Sequence, residues 1–195
     1  QSARIAMVDS GVDLAHEALA GARIAVVDVI RNSKAVPAEG HGTAIAGILL
    51  GRHALAGVAP DAELLAIRAF HQSAADSTAA QSSSYYVAKG ISYAIDAKVQ
   101  IVNLSLTGPQ DRLVTQAVEQ ALKARIAVVA AAGNAGAGAP PAYPAAQPGV
   151  IAVTRSGRRF TNEADSYHDF CQAMYKRCQE EGGETCAFFI ADHRT

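Results

Sequence analysis

The chain has 195 residues, of which half are hydrophobic and 18% are charged, and its formal net charge is −1 at pH 7. This length and composition are typical of one globular domain, or of one domain with an appendage, that buries a sizeable core. The near-zero net charge and the lack of any apolar run long enough to span a bilayer argue against a nucleic acid or a membrane as partner.

Short apolar runs bounded by Gly, Asp or Pro alternate with helical patterns in the first 154 residues. Such runs are typical of strands that are covered on both faces. The predicted strands are Arg4–Val8, Ile24–Val29, Leu64–Ala69, Gln100–Leu104, Ile126–Ala131 and Val150–Val153. The predicted helices are His41–Leu50, Ser83–Ala97 and Gln110–Lys123. This alternation predicts an α/β fold in which a parallel sheet is doubly wound by helices on both faces.

The composition changes abruptly near Thr154, after which six aromatic residues and all three cysteines occur. We therefore predict a partial domain over residues 1–154 and an unrelated tail over residues 155–195. An apolar stripe in the tail predicts a helix, and Ala187–Ala191 is predicted to be a strand, so the tail is expected to be α+β. The stripe consists of Tyr167, Phe170, Cys171, Met174 and Cys178.

The cysteines of the tail allow two interpretations. A zinc site would combine them with two histidines, but the spacing matches no compact set of zinc ligands. An odd number of cysteines is also a poor disulfide framework. We therefore expect buried thiols on an apolar helix face, and no metal. The residues in question are Cys171, Cys178, Cys186, His168 and His193.

Three polar residues lie beyond the carboxyl ends of predicted strands, where the active sites of parallel sheets usually occur. Asp9 follows the first strand, His41 begins the first helix, and Asn134 follows the strand 126–131. Taken singly, each has an ordinary interpretation as a turn or helix-end residue. Taken together, in the order Asp, His, Asn and each at the carboxyl end of a strand or in the loop after it, they are far less ordinary.

Several short segments around these residues carry a family pattern. They are Asp9-Ser10-Gly11, His41-Gly42-Thr43, Gly57-Val58-Ala59-Pro60, Asn103-Leu104-Ser105-Leu106, Ala132-Gly133-Asn134 and Tyr143-Pro144-Ala145. The pattern resembles the subtilisin-like serine proteases (peptidase S8, subtilases), in which the catalytic Asp, His and Ser occur in that chain order. The resemblance runs from Arg4 to Thr154 and implies a subtilisin-type sheet.

The resemblance implies a role for each polar residue. Asp9 would orient the imidazole and stabilise its protonated form, and His41 would act as general base and then as general acid. Asn134 would donate a hydrogen bond to the oxyanion. The resemblance implies proteolysis without a cofactor, in a secreted or periplasmic protein, although the chain begins at Gln1 with no signal-peptide pattern.

The resemblance also implies a substrate-binding segment. Ser105, Leu106 and Gly108 match the stretch that pairs with an extended polypeptide substrate in the family. Thr107 stands where family members usually have Gly, and its side chain is expected to narrow the groove.

The nucleophile of the family lies in a Gly-Thr-Ser-x-Ala-x-Pro segment that opens a long central helix, and the 195 residues contain no such segment. Neither Ser156 nor Ser166 precedes a helix of small residues. In subtilisin, loss of the serine lowers turnover about a millionfold. We therefore expect a sheet that is incomplete at its C-terminal side, with apolar surface exposed on its central strands, and a chain that is inactive alone.

The tail resembles a different family. Gly157–Phe170 and Phe189–Arg194 are similar to an internal segment of FAD-dependent dehydrogenases of the fumarate reductase and ketosteroid dehydrogenase type. The segment includes no Gly-x-Gly-x-x-Gly turn, so flavin binding is not implied.

Three interpretations of the whole chain stay open. The first is a subtilisin-like endopeptidase present as a fragment without its serine. The second is a pseudoprotease that binds extended peptides along Ser105–Leu106 without cutting them. The third is a chimeric chain with no function of its own.

Overall fold

The computed structural model describes residues 2–30, 36–37, 39–52, 56–73, 76–133, 140–153 and 159–161. The strands are β1 (Arg4–Asp9), β2 (Arg23–Asp28), β3 (Val36–Pro37), β4 (Glu63–Arg68), β5 (His71–Ser73), β6 (Asp76–Gln81), β7 (Ile101–Leu104), β8 (Ala127–Ala131), β9 (Ile151–Val153) and β10 (Arg159–Thr161). The helices are α1 (Gly40–Leu50), α2 (Ser84–Asp96) and α3 (Arg112–Lys123), with a 3-10 turn at Glu17–Leu19.

Within the described ranges, seven strands form one sheet in the order β10-β9-β8-β7-β1-β4-β2. The six strands from β9 to β2 are parallel, and β10 runs antiparallel to β9. These six are the predicted strands, each shifted by at most one residue at either end. The predicted doubly wound α/β fold is therefore confirmed.

Helices cover both faces of this sheet. Alternate residues of β1 point to opposite sides, as the twofold period of a strand requires. Ala6 and Val8 pack in a large apolar cluster with residues of α2 and α3. Ile5 and Met7 pack in a smaller cluster with residues of α1. The first strand is thus buried from both sides, which explains why its residues between Arg4 and Asp9 are all apolar.

The face that carries α1 is less completely packed at β8 and β9. Val129 and Ile151 are paired neighbours in these strands. Both side chains are half-buried, and neither belongs to an apolar cluster of the described residues. Val128, which points to the opposite face, is completely buried. Part of this face of the central strands therefore exposes apolar surface.

A second, antiparallel sheet in the order β3-β5-β6 was not predicted. Its strands β5 and β6 are rich in Ser, Gln, Asp and Ala, so they lack the apolar pattern that marks a strand. A register shift between Gln72 and Ser73 interrupts their pairing. Strand β10, in the predicted tail, was not predicted either.

Several predictions lie outside the described residues. They concern Asn134, the junction at Thr154–Arg155, and the helix, the strand and the cysteines of the tail. The boundary at residue 154 and the resemblance of the tail to flavoproteins stay predictions. In the part of the chain that the structure describes, no helix has the length and apolar character needed to cross a bilayer.

Candidate functional site

Asp9 and His41 meet at the carboxyl edge of the sheet. Asp9 is the last residue of β1 and only 4% of its surface is exposed. Helix α1 begins beside it, and Nδ1 of His41 lies 2.7 Å from Oδ1 of Asp9. The fold thus brings together two of the three predicted catalytic residues, although 32 positions separate them in the sequence.

The geometry of this pair sets its chemistry. A carboxylate 2.7 Å from Nδ1 favours the tautomer whose Nδ1–H donates to Asp9. In a neutral ring with that tautomer, Nε2 carries the basic lone pair. The imidazole is 29% exposed and its carboxylate partner 5%, so the ring has access to solvent while the charge that supports it is buried. An imidazole held in this way can accept a proton at Nε2.

Asp9 is also held by its own neighbour. The backbone N–H of Ser10 donates to Oδ1 of Asp9 at 2.7 Å. Within the described residues, Oδ2 of Asp9 is buried and has no hydrogen-bond partner. One carboxylate oxygen therefore accepts two hydrogen bonds, and this fixes the orientation of the carboxylate relative to the imidazole.

A cavity of about 720 Å³ opens beside the pair. Asp9 and His41 line it, and so do Ser105, Leu106 and Gly108, the predicted substrate-binding residues. Its volume is within the range of ligand-binding clefts. Five of the six predicted site residues therefore surround one cavity, and the sixth, Asn134, lies outside the described residues.

The segment that follows β7 forms one wall of this cavity. Ser105 is buried, and its Oγ accepts a hydrogen bond of 3.0 Å from Nδ2 of the buried Asn103. The backbone N–H of Gly108 donates to the carbonyl oxygen of Tyr143 at 2.9 Å. Gly108 therefore ties the wall to the loop before β9, and its N–H does not point free into the cavity.

Thr107, whose side chain was expected to narrow the groove, also lines the cavity. The rest of the lining was not predicted and comprises Ser10, Phe70, Ala80, Ser82, Ser83, Ser84, Val87, Pro109, Asp111, Val114, Thr115, Tyr143, Pro144 and Gln147. Phe70 follows the carboxyl end of β4, so the rule that located Asp9 would have found it. The serines follow β6, whose polar sequence gives no signal of a strand.

Asp111 is the second carboxylate of the cavity. Its Oδ1 accepts hydrogen bonds from the backbone N–H groups of Leu113 and Val114, at 2.8 and 3.1 Å, and so caps α3. The N–H of Val114 and then the side chain of Ser84 hold the pKa of Asp111 below its ordinary value. Burial opposes them less strongly, and the N–H of Leu113 adds the smallest lowering effect. The cavity thus carries a second negative charge.

Metal ligands do not converge in this region. Across the described ranges, no group of three or more His, Cys, Asp or Glu side chains is placed to hold a metal ion. The side chains around the cavity are instead hydroxyl, carboxylate, imidazole and apolar groups, which suit acid–base chemistry on a bound organic molecule.

Comparisons with known proteins identify the family of this chain. The model of the subtilase family (peptidase S8) matches residues 1–180, a range that extends beyond Thr154. Thermitase of Thermoactinomyces vulgaris is 40% identical over 157 residues, which are 77% of this chain and 54% of thermitase. The major intracellular serine protease of Bacillus subtilis is 33% identical, over 77% of this chain and 50% of that protein. The minor extracellular protease Epr of the same organism is 32% identical, over 80% and 24%.

Solved structures show the same similarity. The self-cleaved protease domain of PatA superposes with a TM-score of 0.63 at 30% identity, over 77% of this chain and 56% of that chain. Fervidolysin from Fervidobacterium pennivorans, described as a keratinolytic enzyme related to subtilisin, has a TM-score of 0.63 at 29% identity, over 77% and 24%. This chain thus spans about half the length, or less, of the proteins that it matches.

Proposed function

This chain belongs to the subtilase family of serine proteases, and we propose that it carries the acid–base pair and the substrate groove of a serine-type endopeptidase that acts on polypeptides. The observation that carries the proposal is the 2.7 Å contact between Asp9 and His41 at the wall of a cavity of about 720 Å³. The same cavity is lined by the segment that the family resemblance assigns to substrate binding.

In this proposal, Nε2 of His41 takes the proton of a serine hydroxyl as that hydroxyl attacks the scissile carbonyl. His41 then gives the proton to the leaving amine. Asp9 accepts the hydrogen bond of Nδ1–H, which holds the ring in the tautomer with its basic lone pair on Nε2, and it stabilises the imidazolium. Asn134 donates to the oxyanion, a role that rests on the family resemblance alone.

The peptide would lie in extended form along Ser105 and Leu106. Because the N–H of Gly108 already donates to Tyr143, Gly108 would contribute an open surface rather than a donor. A Cβ atom added at Gly108 would meet no atom within 4 Å, which supports this role. Thr107 lines the cavity, and its side chain would restrict the substrate side chains that fit.

We propose that these 195 residues do not hydrolyse peptides unaided. They include no Gly-Thr-Ser-x-Ala-x-Pro segment, and the covalent step needs a hydroxyl held against the imidazole. Peptide binding without hydrolysis is therefore expected of the fragment. Export to the cell exterior or periplasm is a further part of the proposal. The extracellular relative supports it, the intracellular relative supports the opposite location, and fractionation of the source cells would decide.

Peptide binding tests the groove. A fluorescent peptide library of extended sequences should bind the chain, as measured by anisotropy, and Leu106→Lys should weaken binding at least about tenfold because it places an ammonium group among apolar contacts. Leu113→Lys is the matched control, since Leu113 is 50% exposed and lies outside the cavity lining. Equal effects of the two substitutions, or no binding by the native chain, would contradict the proposed groove.

Hydrolysis and labelling test the missing nucleophile. The 195-residue chain is expected to release no product from peptide substrates and to remain unlabelled by serine-directed phosphonates. A labelled serine, lost in His41→Ala, would reveal a nucleophile within these residues and overturn this part of the proposal.

A further inference from the structure

Helix α1 begins without a cap of its own. The first N–H groups of a helix have no acceptor inside the helix and need one from elsewhere. Glu39, at the N-cap position of α1, makes no side-chain hydrogen bond to the helix. Instead, the backbone N–H of Gly42 donates to Oγ of Ser10 at 2.8 Å. A residue from another segment thus caps the helix that carries His41.

Three consecutive residues of α1 bond to the last residue of β1 and to the loop that follows it. His41 contacts Asp9, Gly42 contacts Ser10, and Thr43 is bound to the N–H of Asp13 at 2.9 Å through its Oγ1. The second of these contacts is buried, because only 2% of Ser10 is exposed. The start of the helix is therefore held to the end of β1 by a row of side-chain hydrogen bonds.

Close packing supports the contact between Gly42 and Ser10. A Cβ atom at position 42 would lie 2.7 Å from the carbonyl oxygen of Ser10 and 3.0 Å from its Oγ. Real Cβ atoms do not approach so closely, so the two backbones can meet at this distance only because residue 42 is glycine. Little space remains for water to replace the hydroxyl of Ser10.

We propose that Ser10 is a positioning residue for the Asp9–His41 pair. Its backbone N–H donates to Oδ1 of Asp9, and its hydroxyl accepts the N–H of Gly42, next to His41. One buried residue thus fixes both the carboxylate and the helix end that carries the imidazole. The proposal deepens the proposed function, on which it rests for the catalytic meaning of the pair.

The hydroxyl is the essential group. Ser10→Ala removes the acceptor and leaves the N–H of Gly42 buried without a partner, which favours a shift of the helix start toward another acceptor. A shift of the helix start by a few tenths of an ångström would lengthen the contact between Nδ1 of His41 and Oδ1 of Asp9, since the two side chains are carried by different backbone elements, α1 and β1. Ser10→Thr keeps the oxygen and should keep the contact.

The proton between Nδ1 of His41 and Asp9 reports directly on this contact. A proton shared with a carboxylate resonates far downfield of the amide protons, and its exchange with water slows as the hydrogen bond becomes shorter and more buried. In the full 195-residue chain, Ser10→Ala should speed this exchange at least about tenfold or abolish the resonance. Ser10→Thr should retain it.

Thr43→Val is the matched control. It removes a buried hydroxyl from the same helix turn, one that accepts from Asp13 and donates to Glu39, without touching Asp9 or His41. Its proton lifetime should fall much less than that of Ser10→Ala, because neither partner of the Thr43 hydroxyl belongs to the Asp9–His41 contact, with helix content checked by circular dichroism. An unchanged lifetime in folded Ser10→Ala, or an equal loss in Thr43→Val, would overturn the proposal.

Ser10→Cys covers the case in which Ser10→Ala does not fold. Its thiol is a similar size but a weaker acceptor, so the proton lifetime should fall below those of the native chain and Ser10→Thr. Equal lifetimes in all three would count against the proposal. The proton lifetime is measured without bound peptide and without turnover. A chain that binds no peptide would therefore refute the proposed function, and the role of Ser10 would still be decided by the proton lifetimes.

Discussion

Val128 and Val129 are consecutive residues of β8 with opposite surroundings. Val128 has no exposed surface and packs in the cluster beneath α2 and α3, whereas Val129 is half-buried on the other face, outside both clusters. The two valines are therefore expected to contribute differently to the free energy of unfolding. The size of this difference reports how much more completely one face of β8 is covered than the other.

Alanine substitutions at the two positions should separate these faces. Val128→Ala should lower the free energy of unfolding by about 2 kcal/mol, because two buried methyl groups are lost and a cavity remains. Val129→Ala should cost less than about 1 kcal/mol. Urea unfolding measures both values. Equal costs would show that the face of Val129 is as tightly packed as the opposite one.

The exposed apolar face should also bind hydrophobic dyes. We expect native protein to enhance ANS fluorescence, which reports exposed apolar surface. Val129→Glu should reduce that enhancement, because a carboxylate makes the patch less apolar and repels the anionic dye. Val26→Glu in β2, where Val26 is 48% exposed and lies outside this patch, introduces the same charge and serves as the control. Dye binding unaffected by Val129→Glu would assign it to another surface.

Two glycines at the start of α1 should respond differently to alanine. Gly42→Ala places Cβ against the backbone of Ser10 and should cost about 1–3 kcal/mol through forced displacement. Gly40→Ala meets no atom within 4 Å and should be neutral or stabilising by up to about 1 kcal/mol, since alanine loses less entropy in a helix. Denaturant unfolding compares them, and a tolerated Gly42→Ala would contradict the close approach.

The cap of α3 should depend on pH. The pKa of Asp111 is held below its ordinary value of 3.8, first by the N–H of Val114 and then by Ser84 and Leu113. The ionised carboxylate therefore stabilises the fold fully above that ordinary value, and this contribution disappears as the pH falls through the lower pKa of the folded state. Asp111→Ala should accordingly destabilise the protein at pH 7 by more than at pH 3.

Asp111→Asn distinguishes the contribution of the N-cap hydrogen bonds to stability from the contribution of the negative charge. Asparagine is an equally good N-cap residue, so at pH 7 it should be less stable than the native chain but more stable than Asp111→Ala, and its difference from the native chain should be smaller at pH 3 than at pH 7. Urea midpoints at the two pH values provide the comparison. A pH-independent difference between Asp111→Ala and the native chain would show that the charge contributes nothing.

The main sheet could be predicted from the sequence because each of its six parallel strands contains a short apolar run, including the largely exposed edge strand β2. The small sheet could not be predicted, since β5 and β6 are polar and depend on pairing with each other rather than on a local pattern. In the same way, the burial of β1 could be predicted from its apolar residues. The partial exposure of one face of β8 could not be predicted, because it depends on which elements pack against that face.

Some features of the candidate site could likewise be predicted from the sequence, and others depend on tertiary packing. Asp9 and His41 could be named from their places at a strand end and a helix start, together with the family motifs around them. Their 2.7 Å contact could not, because it depends on how α1 packs against β1. The cap that Ser10 provides and the serines that line the cavity are likewise products of tertiary packing, to which no short-range pattern in the sequence corresponds.

The central claim, that Asp9 and His41 form a competent general base, is tested most directly by supplying a nucleophile. Residues 1–153 would be joined to the part of thermitase that follows its matched region, and peptide hydrolysis would be measured for the hybrid and its variants. We predict hydrolysis that falls about a millionfold in His41→Ala and more than about ten-thousandfold in Asp9→Ala, as for the matching residues of subtilisin. A folded hybrid whose kcat/KM is unchanged by His41→Ala would contradict the account.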